Sequence, residues 1–93
     1  MNAPAVNLDT QPSNVLVVDD DGPILKALQA RLQHAGYSVT AARDGTTALI
    51  AASNPSPDVA VLDVNLPSID GFSVAEKLRD AFPGIGLIFL TAS

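Results

Sequence analysis

The 93 residues, 47% hydrophobic but only 4% aromatic, allow one globular domain with an aliphatic core. Cysteine is absent, which excludes disulfide staples and thiolate metal sites and fits a cytoplasmic protein. Ten acidic residues against five Lys and Arg, net −5, argue against direct contact with nucleic acid or an anionic membrane surface.

Residues 1–13 lack the basic and apolar regions of a secretory signal and read as a flexible leader. "NVLVVD" (14–19) is a β-branched apolar run, predicted as a strand buried on both faces. A turn follows, with Asp20 to Gly22 as the cap region and Pro23 in the first helical turn. Leu25, Leu28, Leu32 and Ala35 then recur at helical spacing until Gly36 supplies a left-handed stop. "YSVTAA" (37–42) is a second strand, and Asp44 caps an Ala-rich helix over 45–53. His34 lies in the last turn of the first helix, where a cation complements the helix dipole and faces solvent.

"NPSP" breaks the chain before a third strand over 58–64, with Asp58 read as a solvated loop acid. After the loop "NLPSID", Asp70-Gly71 opens a helix over 71–82. Val74, Leu78 and Phe82 occupy one face of that helix, and Glu76, Lys77, Arg79 and Asp80 the other. Pro83-Gly84 ends it, and a fourth strand spans 87–90. No apolar stretch approaches membrane-spanning length. Strands alternating with helices over short links predict an α/β fold, a parallel sheet wound with helices on both faces.

In such sheets ligands bind beyond the carboxyl ends of the strands. The first strand ends in Asp19-Asp20-Asp21, the third in Asp63 and the fourth in Thr91. Packed carboxylates repel one another and need a cation or a proton. An oxygen-only ligand set suits Mg²⁺, and a carboxylate beside it can attack phosphorus to give an acyl phosphate. Asp63, expected between the other two strand ends, is the natural nucleophile, and Thr91 offers its hydroxyl to a phosphoryl oxygen.

Three segments together, "VLVVDDDGPI", "VAVLDVNLPSIDG" and "LIFLTAS", resemble the receiver domain of two-component response regulators over residues 14–93. The resemblance implies a flavodoxin-like (CheY-like) doubly wound sheet with four of the usual five βα units. It implies Asp63 as phospho-acceptor, with Mg²⁺ held by Asp19, Asp20, Asp63 and the backbone carbonyl of Asn65. Asp20 matches the more direct of the two acidic ligands. Thr91 matches the hydroxyl that responds to the phosphoryl group, and Ala92 is small enough to leave access to it. Pro67 and Gly71 shape the loop after the acceptor. The implied partner is a sensor histidine kinase or a histidine phosphotransfer protein, with no activity beyond assistance to the domain's own phosphotransfer and dephosphorylation.

The family pattern continues with a fifth strand that carries an aromatic switch residue and is followed by a lysine that contacts the phosphoryl group. Neither is expected in a sequence that stops at Ser93, and Lys26 and Lys77 fall in helices away from the acidic rim. The domain over 14–93 therefore reads as incomplete, with slow or absent phosphorylation in this form. "GLIFL" should be an exposed sheet edge, open to self-association with a second copy. Two alternatives stand beside the receiver reading. One is a truncated or non-phosphorylated interaction module. The other is a haloacid-dehalogenase-like phosphatase, disfavoured because Asn65 stands where that class places a second, proton-shuttling aspartate.

Overall fold

The computed structural model describes residues 13–91, so the leader, apart from Ser13, lies outside the described residues. The elements follow as β1 (Asn14–Val18), α1 (Gly22–His34), β2 (Ser38–Ala42), α2 (Gly45–Ala51), β3 (Val59–Asp63), α3 (Gly71–Ala81) and β4 (Gly86–Leu90). All strand pairs are parallel, in the order β2-β1-β3-β4. Every expected element is present, with boundaries shifted by one or two residues.

Both faces of β1 are buried, because alternate residues feed two separate cores. Val15 and Val17, with Val61 of β3, pack against Leu25 of α1. On the opposite face, Leu16, Val18, Ala60 and Leu62 meet Ala48 of α2 and Val74, Ala75 and Leu78 of α3. One helix on one face and two on the other give the doubly wound arrangement expected from the sequence. The amphipathic stripe of α1 is shorter than its spacing suggests, since Ala35 is the helix C-cap and is exposed.

Aspartate begins each of these helices. Asp21 Oδ1 accepts the Ile24 N–H at 3.0 Å, Asp44 Oδ1 that of Thr47 at 2.7 Å, and Asp70 Oδ1 that of Ser73 at 2.9 Å. The Thr47 and Ser73 amides hold the Asp44 and Asp70 carboxyls below the usual carboxylate range. At the far end of α1, Gly36 has φ of 101°. Its N–H reaches the Gln33 carbonyl while the Tyr37 N–H reaches that of Leu32, each at 3.0 Å. That pairing is a Schellman motif, and it draws Tyr37 into the cap so that β2 starts at Ser38 instead.

Asp58 is exposed and precedes β3, as the reading of a solvated loop acid expects, and it also makes hydrogen bonds that the sequence did not indicate. Its Oδ2 accepts the Asn14 N–H at 2.7 Å, and its backbone bridges Asn14 and Gly86, so it ties the starts of β1 and β4 together. β4 forms one edge of the sheet, with Ile88 52% and Phe89 36% exposed. Phe89 packs on Phe72 of α3 with ring centroids 4.9 Å apart. Among the described residues, no helix is long and apolar enough to cross a membrane.

Candidate functional site

The strand order sets the carboxyl ends of β1, β3 and β4 side by side, with β3 in the middle. A cleft of about 390 Å³ opens there, lined by Asp19, Asp20, Asp21, Asp63, Leu90 and Thr91. Ile24 and Leu28 of α1 complete its apolar wall. Asp63 therefore sits between the acids of β1 and the hydroxyl of Thr91, where the sequence places it.

Within the cleft, carboxylate oxygens of Asp19, Asp20 and Asp63 lie within 4.8 Å of one another. Asp21 is not part of this group, since its Oδ1 caps α1. Asp19 is only 5% exposed. Burial pushes its carboxyl up, and the charges of Asp63, Asp20 and Asp21 add to the rise, while the Asp21 N–H donating to Oδ1 at 2.8 Å opposes it. The arrangement is a cluster of oxygen donors, one of them desolvated, that repel one another until a positive charge joins them. A hard divalent cation fits that donor set.

Asp63 is half-buried, and its Oδ1 accepts the Asn65 N–H at 3.0 Å. Asn65 itself is exposed and does not line the cleft. The segment beyond it is fixed by the backbone: the Val64 N–H donates to Leu90 at 3.2 Å and the Gly71 N–H to Val64 at 3.1 Å. A Cβ on Gly71 would collide with the Asp63 carbonyl oxygen, and would sit 2.9 Å from the Asp63 carbonyl carbon and the Val64 Cα. Between them, the Ile69 N–H bonds the Pro67 carbonyl at 2.8 Å across Ser68, whose φ is 69°. That is a γ-turn of the rare, strained hand. Pro67 and Gly71 thus shape the loop as expected, Gly71 through contact with the backbone of Asp63 itself.

Thr91 is exposed and lines the cleft, whereas Ala92 lies outside the described residues. Neither Lys26 nor Lys77 lines the cleft. Two features lie outside the sequence reading. Leu66, assigned to a loop, is 8% exposed and belongs to the core, a role its apolar character in a polar segment would have signalled. Arg43 donates from Nη2 to the Asp20 carbonyl at 2.9 Å, a contact for which no local pattern exists.

The family model of the response regulator receiver domain matches residues 15–93. A probable transcriptional regulatory protein of Mycobacterium tuberculosis, TcrX, is 44% identical over 84 residues, 90% of this chain and 36% of the relative. The alkaline phosphatase synthesis transcriptional regulatory protein PhoP of Bacillus subtilis is also 44% identical, over 84% of this chain and 32% of its own length. The chain thus spans about a third of these curated relatives. Among solved structures, the Vibrio cholerae chemotaxis protein CheY4 superposes with a TM-score of 0.84 at 34% identity, covering 88% of this chain and 70% of that one.

Proposed function

Because the chain belongs to the response regulator receiver family, we propose that it accepts a phosphoryl group on Asp63 from a histidine kinase or a histidine phosphotransfer protein. The cluster of Asp19, Asp20 and Asp63 at the mouth of the sheet carries this reading. Mg²⁺ would be held there by those three side chains and, as the family resemblance implies, by the Asn65 backbone carbonyl as a further ligand. Bound, it would offset the charge of the acids and of the group in transfer.

The residues divide the work. The Asn65 N–H fixes one oxygen of Asp63 and leaves Oδ2 to attack. That oxygen forms a bond to phosphorus as the phosphorus–nitrogen bond of the donor phosphohistidine breaks. The imidazole leaves with the electron pair of that bond and takes a proton from solvent. Thr91, directly after β4, donates its hydroxyl to a phosphoryl oxygen, and the family resemblance implies that the small Ala92 would leave access for the group. The net charge of −5 suits a protein-binding module and not a nucleic-acid reader. The work is assigned to the cytoplasm, consistent with the absence of cysteine.

A non-phosphorylated interaction module is the second reading, favoured by the position of Lys26 and Lys77 away from the cleft. The exposed β4 edge would then be its contact surface, open to a second copy. Incubation of the full-length protein with acetyl phosphate separates the two. Uptake of one phosphoryl group that needs Mg²⁺ and is blocked by EDTA supports the receiver; no uptake supports the alternative.

A further inference from the structure

The peptide group joining Asp20 to Asp21 is held at both ends. Its N–H, on Asp21, donates to Asp19 Oδ1 at 2.8 Å, and its carbonyl, on Asp20, accepts from Arg43 Nη2 at 2.9 Å. Arg43 directly follows β2, whose last residue, Ala42, accepts the Asp19 N–H at 3.2 Å. The side chain therefore reaches the loop from the neighbouring strand, independently of the loop's own hydrogen bonds. Its guanidinium lies over Gly22, with Cζ 3.6 Å from where a Cβ would stand.

A donor on the carbonyl oxygen polarises the whole amide, so the N–H on its other side becomes a stronger donor. A guanidinium is planar and permanently charged, which suits it to this task in contact with solvent. We infer that Arg43 is a positioning residue for the metal site, fixing the Asp20–Asp21 peptide so that the Asp19 and Asp20 carboxylates converge. Arg43 acts through the backbone and touches neither the metal nor the phosphoryl group. The inference rests on the receiver reading, because it assigns Arg43 a role in holding the cation proposed there.

Mn²⁺ titration of the full-length protein by calorimetry tests it, together with the amide resonance of Asp21 in the metal-free state. Arg43→Met keeps much of the packing on Gly22 and removes the donor. It is expected to weaken Mn²⁺ binding about tenfold, as loss of an outer-shell partner commonly does. The Asp21 amide should move toward the position of a weaker hydrogen bond. Arg43→Lys restores a charged donor and should recover most of the lost affinity. Where the Met variant is itself unstable, the Lys variant decides: a tenfold or greater loss of Mn²⁺ affinity in a folded Arg43→Lys overturns the inference. Wild-type affinity in a folded Arg43→Met, with an unmoved Asp21 amide, overturns it as well. A wild-type protein that binds no Mn²⁺ overturns the receiver reading instead, and the Asp21 amide alone then decides for Arg43.

Discussion

Gly71 lies against the Asp63 carbonyl so closely that a side chain there would overlap it. The first residue of α3 is thereby seated on the backbone of Asp63, the proposed phospho-acceptor, and the helix and the site cannot shift independently. Gly71→Ala must displace one of them. A loss of about 1–3 kcal/mol is expected from such overpacking, read from urea unfolding, together with slower phosphorylation at Asp63. An unchanged unfolding midpoint would show that the close approach imposes nothing.

Asp44 and Asp70 cap α2 and α3, and the amides they accept hold both carboxyls below the ordinary range. An acid whose folded pKa lies below its unfolded value stabilises the fold fully above the unfolded pKa, about 3.9. That contribution is lost as the pH falls through the folded pKa. Asp70→Asn keeps an oxygen for the Ser73 N–H but cannot titrate, so it should flatten the acid limb of the melting curve. Asp70→Ala removes the cap and should lower the melting temperature at neutral pH too. Melting temperatures between neutrality and strong acid check both; parallel acid limbs in Asp70→Asn and wild type would contradict the first.

Asp19 is buried beside two other acids, so the charged site weakens the metal-free fold. Asp19→Asn should raise the melting temperature of the metal-free protein by several degrees. Wild type should gain about 2.7 kcal/mol in Mg²⁺ at a hundred times its dissociation constant, and the variant should gain almost none. A variant less stable than wild type without metal would contradict this.

Much of this was legible in the sequence for a physical reason. The apolar runs of β1 and β3 and the helical spacing of Val74 and Leu78 record burial directly, and strand ends in a parallel sheet are where ligands meet. Asp19, Asp20, Asp63 and Thr91 could therefore be grouped before any coordinates. Arg43, by contrast, meets Asp20 across 23 positions of chain, through a side-chain contact with no periodic signature. Asp58 and Asn14 are 44 positions apart, and their hydrogen bond exists only once β1 and β3 are paired. Gly71 reads as a helix start and, by the family resemblance, as a loop-shaping residue, but its close approach to Asp63 depends on the loop through Ser68.

Among the described residues, β4 leaves one row of its backbone groups unpaired, with Ile88 half exposed beside it. Such an edge pairs with other strands unless it is blocked. As a 93-residue polypeptide, the chain should show a mass and a melting temperature that rise with concentration. Ile88→Lys should abolish both dependences. A cooperative, concentration-independent melt with monomeric mass would contradict the self-association.

The role of Asp63 is tested most directly by the intact mass of the full-length protein after acetyl phosphate and Mg²⁺, with Asp63→Asn alongside. The expected result is one added phosphoryl group on wild type, none on Asp63→Asn, and none on either without Mg²⁺. Equal phosphorylation of both proteins, or none on wild type, would contradict the assignment of Asp63 as acceptor.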